Sequence, residues 1–319
     1  MNSHILLTGG TGFFGRALLR HFVTFGMASD TSVCVLSRDP QRFLKQYPEF
    51  ADCEGISFVR SDIEDRHSLP WGQAFTHVLH AATDSTVGPQ LTPLRRFNQI
   101  LNGTALILEL AVATGAKRFL LTSSGGIYGP QPSDLTSIPE TWSGCPPLDL
   151  VSSAYSQAKR AAEHLCSLYR DAHGLQTVIA RCFAFVGPDL PLNVHFAIGN
   201  FIRDALFSEC ITVAGDGTPL RSYLDQRDLA YWLWKLLEDG HDGHCYNIGS
   251  DQAISISSLA YLVRDLLAPE KLVNIIGDVA PFSVRNRYIP DIDKVRRMHG
   301  LRVTVPLEQA IRATADFYK

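Results

Sequence analysis

The sequence lacks a long hydrophobic run, an excess of positive charge and any paired-cysteine motif. No run reaches the roughly 18 apolar residues of a membrane-spanning helix, and no secretion signal is recognisable, so we expect no membrane association. Lysine and arginine number 29 against 32 aspartates and glutamates, which argues against nucleic acid as a partner. The 7 cysteines are scattered without a CxxC pair, so we expect reduced thiols, a cytoplasmic protein and no metal site.

Residues 1–180 alternate short apolar runs with longer amphipathic segments. Several runs are apolar on both faces, as expected of strands buried in a parallel sheet. They are Ile5–Thr8, Val33–Leu36, Ile56–Arg60, His77–His80, Phe119–Ser123 and Thr177–Arg181. This alternation predicts an α/β fold, a Rossmann-type doubly wound parallel sheet with helices on both sides.

The regular alternation of apolar and amphipathic segments weakens after Arg181, where proline and glycine separate shorter elements. This change predicts a smaller, mainly C-terminal second domain. We therefore expect one domain over 1–180, to which 225–248 returns, and a second region formed by 181–224 and 249–319.

Two long helices are predicted, from Leu94 to Thr114 and from about Ser153 to His173. The first contains "ALILELAVA" and is apolar around most of its circumference, so it has to be covered on more than one side. The pair can cover the sheet on one face and a second subunit on the other. We therefore expect a homodimer.

The first predicted strand runs into "TGGTGFFG", in which Gly9, Gly12 and Gly15 are spaced three residues apart. Such glycines provide a tight turn, close approach of the backbone to a pyrophosphate, and close packing of a helix on a strand. The motif ends a predicted strand and opens a predicted helix, which is the context that dinucleotide binding requires. A glycine-rich turn without a ligand is the alternative.

The end of the second strand, "VCVLSRDP", indicates the choice of cofactor. An acidic residue there binds the adenosine ribose of NAD, whereas an arginine accommodates the 2′-phosphate of NADP. Ser37 and Arg38 stand at this point, so NADP(H) is favoured over NAD(H). Asp39 lies one residue further and is the alternative ribose ligand. Asp62, just beyond the third strand, is placed either to approach the adenine or to cap a helix.

Tyr155 and Lys159 are four residues apart on a predicted helix, so their side chains share one face. A tyrosine is a poor acid–base catalyst unless a neighbouring ammonium group favours the phenolate. Ser124 adds a hydroxyl at the end of a central strand, where parallel sheets present their ligand sites. A surface pair without function is the alternative for the tyrosine and lysine.

The sequence motifs occur in the order seen in the extended short-chain dehydrogenase/reductase family, which the chain therefore resembles. This family is known for sugar-nucleotide epimerases, dehydratases and reductases. The resemblance covers essentially the whole chain, and it implies that 1–180 is the dinucleotide-binding domain and that the mainly C-terminal region is the substrate-binding domain. It is carried by "TGGTGFFG", "HAA", "NGT", "TSSGGIYG", "YSQAK", "GDGTPLRSYLDQRDLA", "YNIGS" and "RYIPDIDKVRR".

By position, the resemblance implies that Tyr155 is the acid–base residue and that Lys159 also holds the nicotinamide ribose. It implies that Ser124 hydrogen-bonds the reacting oxygen. Arg221 stands where the family clamps the diphosphate of its substrate, which suits a planar, permanently charged fork. Arg287 is a weaker candidate for the same nucleotide, with a surface arginine as the alternative.

The resemblance also implies a set of residues that contact the dinucleotide. They are Gly9, Gly12, Phe13, Phe14, Gly15, Ser37, Arg38, Asp62, Ile63, Ala81, Ala82, Asn102 and Lys159. Asn102 looks like the family's helix asparagine, whose role is more structural. The chain departs from the pattern at Ala184 and Phe185, where sugar-nucleotide enzymes supply an asparagine to the diphosphate. Asn193 or His195 is the candidate substitute.

Gly125 and Gly126 bear on the reaction. In the family's 4,6-dehydratases an Asp–Glu pair follows the hydroxyl residue and expels water. Glycine cannot transfer a proton, so that mechanism is disfavoured, and the two glycines also enlarge the substrate pocket.

With Arg38 favouring NADPH, the sequence favours reduction of a 4-keto sugar nucleotide. An NAD-dependent sugar-nucleotide 4-epimerase, a non-nucleotide substrate and a non-catalytic dinucleotide-binding regulator remain alternatives. The regulator is disfavoured because such proteins commonly lose the tyrosine or the lysine.

Overall fold

The computed structural model describes residues 3–26, 30–83, 91–194, 196–277 and 286–319. The chain divides into two compact units. The first, which we call the Rossmann unit, comprises Met1–Ile127, Pro146–Arg181 and Ala230–Tyr246. The second, the C-terminal unit, comprises Tyr128–Cys145, Cys182–Leu229 and Asn247–Lys319. None of the helices described is long and apolar enough to cross a membrane.

One seven-stranded parallel sheet forms the centre of the Rossmann unit. Its strands are β1 (Ser3–Thr8), β2 (Thr31–Ser37), β3 (Ile56–Arg60), β4 (His77–His80), β5 (Arg118–Ser124), β6 (Gln176–Cys182) and β11 (Cys245–Ile248). The order across the sheet is β3–β2–β1–β4–β5–β6–β11, so the chain winds outward from β1 in both directions. Each strand predicted in residues 1–180 lies within an observed strand, and the predicted Rossmann-type fold is confirmed.

Helices cover this sheet, and they are α1 (Phe13–Phe25), α2 (Pro40–Gln46), α3 (Pro93–Ala113), α4 (Ala154–His173) and most of α6 (Gln226–Asp239). The main core lies where α3 and α4 pack on the strands. Ile107 of α3, Ala158 of α4 and Phe119 of β5 are fully buried there. Small residues such as Ala158 let α4 approach the sheet closely, which brings its first turns to the carboxyl end of β5.

The C-terminal unit contains shorter elements. Its strands are β7 (Phe185–Val186), β8 (Cys210–Val213), β9 (Leu220–Arg221), β10 (Leu224–Asp225), β12 (Ile254–Ser255), β13 (Leu272–Ile275) and β14 (Arg287–Tyr288). Its helices are α5 (Ala197–Phe207), α7 (Ile256–Leu267), α8 (Asp293–His299) and α9 (Leu307–Tyr318). Strand β9 lies between β12 and β14, β7 pairs with β10, and β8 pairs with β13.

The segment Tyr128–Cys145 belongs to the C-terminal unit, although the sequence pattern assigns all of 1–180 to one domain. The reason is a buried amide. Asn247 accepts a hydrogen bond from the Tyr128 hydroxyl at 2.8 Å, and its Nδ2 donates to the Ile138 carbonyl at 2.7 Å. Because an unpaired buried amide is costly, these bonds fix the segment to its unit.

Candidate active site

The bend between β1 and α1 accepts only glycine at two positions. Gly9 has a φ of +73°, and a Cβ built there would lie 2.5 Å from the carbonyl oxygen of Ala81. A Cβ built on Gly15 would lie 2.2 Å from the Cα of Gly10, so the helix packs directly on the bend. The motif therefore supplies the tight turn and the close helix packing that dinucleotide binding requires.

The N-terminus of α1 fits an anion. Gly12 is its N-cap residue, and among the described residues no side chain caps the helix and no acidic residue lies in its first turn. The nearest atom to a Cβ built on Gly12 would be the Gly9 carbonyl oxygen, at 3.4 Å, so a ligand can approach the backbone closely. Phe13 is buried, and its ring centroid lies 5.7 Å from that of Phe14. Uncapped N–H groups at the positive end of a helix suit a pyrophosphate.

Arg38 and Asp39, the two candidate ligands at the adenosine ribose, follow β2 and differ in their contacts. Asp39 caps α2, because its Oδ1 accepts a hydrogen bond from the Arg42 amide at 3.0 Å. Ser37 is buried, and its hydroxyl accepts a bond from the Asp39 amide at 3.3 Å. Arg38 is exposed at the same turn. One oxygen of the Asp39 carboxylate therefore caps α2, and Arg38 is exposed next to it.

Asp62 combines with its neighbours to shape the turn after β3. Its Oδ1 accepts a hydrogen bond from the Glu64 amide at 3.0 Å, within the turn, whereas Asp65 caps the short helix that follows, so Asp62 is not the helix cap. Ile63 packs so closely on α3 that a Cβ built on Gly103 would lie 2.8 Å from the Ile63 Cδ1. Asn102, the preceding residue, is exposed. The glycine of "NGT" therefore has a packing role.

His80, at the end of β4, hydrogen-bonds to Thr8, the residue that precedes the glycine bend. Its Nδ1 lies 2.7 Å from the Thr8 hydroxyl and its Nε2 lies 3.2 Å from the Thr104 hydroxyl. Burial, followed by the positive charge of Lys159, lowers the pKa of His80 to about 3, so the ring is neutral. The Thr8 hydroxyl also accepts the Ala82 amide at 3.2 Å. The histidine of "HAA" thus holds the Ala81–Ala82 segment in place.

Lys159 is 4% exposed and is held by two oxygen atoms from different parts of the chain. Its Nζ donates to the Thr122 carbonyl at 2.8 Å and to the Thr83 hydroxyl at 2.9 Å. Tyr155 lies one helical turn earlier on α4 and packs against the core. The helix therefore presents both residues on one face, with the ammonium group fixed. Sequence analysis missed Thr83, which follows the "HAA" motif.

Ser124 ends β5, where its buried hydroxyl accepts a hydrogen bond from the Gly126 amide at 3.0 Å. A serine hydroxyl that accepts one bond can still donate its own proton. Ser124, Tyr155 and Lys159 all belong to the Rossmann unit. The β5–α4 packing described above brings their segments together at the carboxyl end of the sheet, where ligands bind in such folds.

A second buried network, also missed by sequence analysis, lies one turn further along α4. Glu163 accepts the Ser123 hydroxyl at 2.5 Å and is paired with Arg181 of β6, whose Nη2 lies 2.8 Å from Oε2. Both side chains are less than 15% exposed. The bonds tie α4 to β5 and β6 at the residue before Ser124 and one helical turn beyond Lys159. No local motif marks the contact, because the partners are far apart in sequence.

The C-terminal unit holds the candidate diphosphate ligands. Arg221 is half-buried, burial lowers its pKa, and its Nη1 donates to the Leu220 carbonyl at 2.8 Å. The β9–β14 register pairs Arg287 with Leu220 and Tyr288 with Arg221. Side chains alternate along strands, so the two arginines leave this sheet on opposite faces. Asn193 is exposed, and His195 lies outside the described residues.

Known proteins resemble the chain over nearly all of its length. UDP-glucuronic acid decarboxylase 6 of Arabidopsis thaliana is 29% identical over 97% of this chain and 87% of its own. The dTDP-glucose 4,6-dehydratase of Escherichia coli is 29% identical over 98% and 92%. The structure of a Thermotoga maritima UDP-glucose 4-epimerase with UDP-glucose has a TM-score of 0.83, with 22% identity over 99% and 98%.

A match to a family model shows which protein family the chain belongs to. The model described as the NAD dependent epimerase/dehydratase family matches residues 5–249, which include the glycine bend, Ser124, Tyr155 and Lys159. The curated relatives above have names of sugar-nucleotide enzymes, in agreement with the expected extended short-chain dehydrogenase/reductase family. The chain therefore belongs to the NAD-dependent epimerase/dehydratase family.

Proposed function

We propose that this protein reduces a 4-keto sugar nucleotide with NADPH, and that Tyr155 donates the proton. The observation that carries the proposal is a site with Ser124, Tyr155 and a fixed Lys159 but no side chain at Gly125 or Gly126. These residues suffice for one proton transfer beside one hydride transfer. Loss of water from a sugar requires an additional acid and base, which glycine does not provide.

The proton in this reaction moves from the Tyr155 hydroxyl to the carbonyl oxygen of the sugar. Ser124 donates a hydrogen bond to the same oxygen and stabilises the charge that develops there. Lys159 stabilises the phenolate that Tyr155 leaves behind, and its bonds to Thr83 and Thr122 keep the ammonium group in place. NADPH, when bound, supplies the hydride to the carbonyl carbon, so that the ketone becomes an alcohol.

The cofactor preference and the substrate class rest on separate side chains. Arg38 is exposed beside Asp39, whose carboxylate caps α2, and this arrangement favours the 2′-phosphate of NADP(H). Arg221 is proposed to bind the diphosphate, because a guanidinium group pairs well with phosphate oxygens. A sugar nucleotide is also what the names of the relatives specify for those proteins.

A second candidate is an NAD-dependent sugar-nucleotide 4-epimerase. Membership of the NAD dependent epimerase/dehydratase family favours it. An epimerase returns the hydride that it takes and therefore keeps one NAD bound, whereas a reductase exchanges its cofactor at every turnover. The two candidates use the same tyrosine, lysine and serine.

The decisive experiment measures NADPH and NADH oxidation with a panel of 4-keto sugar nucleotides, and epimerisation of UDP-glucose and UDP-galactose by the same preparation. Tyr155→Phe should lower turnover at least about 100-fold, the usual contribution of a general acid, with NADPH binding retained. Tyr169→Phe, on the same helix, is the matched control and should keep wild-type turnover. Full activity of Tyr155→Phe would refute the proposal. Epimerisation without net cofactor oxidation would replace the reductase with the epimerase.

A further inference from the structure

The residue after the catalytic tyrosine lies against the glycine that follows the catalytic serine. A Cβ built on Gly126 would lie 2.6 Å from the Ser156 Oγ, closer than real side chains approach. The same Cβ would lie 3.2 Å from the Ser124 Oγ. The two hydroxyl groups therefore flank one point, and the Ser156 hydroxyl occupies space that any side chain at position 126 would need.

The Ser156 hydroxyl is available to a ligand. Ser156 is half-buried on α4, and within the described parts of the chain its hydroxyl makes no hydrogen bond to protein. The Ser124 hydroxyl, in contrast, already accepts the Gly126 amide. A half-buried hydroxyl beside a catalytic group has both a free donor and free acceptor positions to offer.

We propose that Ser156 positions the substrate, by hydrogen-bonding an oxygen of the sugar next to the one that Ser124 and Tyr155 bind. The proposal rests on the proposed function and adds a specificity-determining residue to it. Glycine at position 126 is then required for this contact, since it alone lets the hydroxyl stand so close to the backbone. The Ser156 hydroxyl therefore occupies the place that the side chain of a larger residue at position 126 would occupy.

The test is a double-mutant cycle on a sugar nucleotide that the wild type turns over. Ser156→Ala should raise the KM for that substrate roughly five- to tenfold, the loss of one neutral hydrogen bond, with kcat and the KM for cofactor unchanged. Gly126→Ala should have a similar effect, because its Cβ forces the Ser156 hydroxyl to rotate away. The double variant should lose no more than Ser156→Ala alone. In that variant the Cβ atoms of 126 and 156 come to 3.6 Å, an ordinary contact.

Ser167→Ala is the control, since Ser167 is exposed on the same helix and should keep the wild-type KM. A wild-type KM in Ser156→Ala, or a double variant whose loss equals the sum of the two single losses, would overturn the inference while the proposed function stands. Calorimetric titration of the wild type with UDP-glucose and a dTDP-sugar distinguishes failure of this inference from failure of the proposed function. A wild type that binds and turns over no sugar nucleotide overturns the proposed function and this inference together.

Discussion

The two units hold their candidate site residues in different ways. In the Rossmann unit, Lys159 is buried and bonded to two oxygen atoms from separate segments, and the neighbouring Glu163 is paired with Arg181. In the C-terminal unit, Arg221 is half-buried and Asn193 is exposed. A buried and bonded charge has essentially one position, whereas an exposed side chain has several. The comparison indicates that the Rossmann unit holds its candidate acid–base residues in its interior, whereas the candidate residues of the C-terminal unit are more accessible to solvent.

The largest expected effect concerns the preorganised lysine. Lys159→Met should lower kcat by roughly 10²–10⁴-fold, since the phenolate of Tyr155 loses the charge that stabilises it. Steady-state kinetics should show little change in the KM for the sugar nucleotide. Lys235→Met, which removes an exposed ion pair with Asp239 on α6, is the control and should keep wild-type kcat. A variant of Lys159 that changes KM alone would break the distinction between the units.

A second test compares two glutamates that are both paired with arginine. Glu163→Gln leaves the charge of Arg181 buried and should lower the free energy of unfolding by about 3–5 kcal/mol. Glu109→Gln removes an exposed pair with Arg66 and should leave the free energy of unfolding nearly unchanged. Urea unfolding of both variants measures the difference. Equal losses would mean that the network of Ser123, Glu163 and Arg181 contributes no more to stability than a surface ion pair.

A third test uses acid. The pKa of His80 is lowered to about 3 in the folded chain, against an ordinary value of 6.5, so the unfolded chain binds a proton that the folded chain refuses. Stability therefore rises with pH from about 3 to about 6.5, and moving from pH 7.5 to 5.0 should cost about 2 kcal/mol from this group.

His80→Asn removes the titrating ring, so its unfolding free energy should fall about 2 kcal/mol less than that of the wild type between the same two pH values. Urea unfolding at both values gives the comparison. His164→Asn, at an exposed position of α4, should keep the wild-type dependence on pH. An unchanged pH dependence in His80→Asn would show that the ring is not the acid-sensitive group.

The parts that sequence alone predicts are local. The glycine bend occupies a few consecutive residues, and Tyr155 and Lys159 meet because a helix repeats every 3.6 residues. Strand runs are equally local, and the predicted runs lie within the observed strands. A pattern of this kind needs no knowledge of which segments meet.

The parts that sequence did not predict depend on distant contacts. Thr83 reaches Lys159 across 76 residues, and Ser123 reaches Glu163 across 40. Likewise, the Tyr128–Cys145 segment joins the C-terminal unit through Asn247, 109 residues from Ile138. Serine, threonine and glutamate are common residues, and only the packing of α4 on the sheet shows which of them meet. Motif spacing therefore finds the candidate reacting groups and not the residues that hold them.

The smallest expected effect tests the C-terminal unit itself. Arg221→Lys replaces a planar fork with a point charge and should raise the KM for a sugar nucleotide about tenfold with kcat unchanged. Arg287→Lys should stay within about twofold, because the β9–β14 register sends Arg287 to the other face of the sheet and one diphosphate then contacts one arginine. Titration with UDP gives the same comparison without turnover. Equal losses in the two variants would mean that both arginines reach the nucleotide, and a fall in kcat for Arg221→Lys would extend preorganisation to the C-terminal unit.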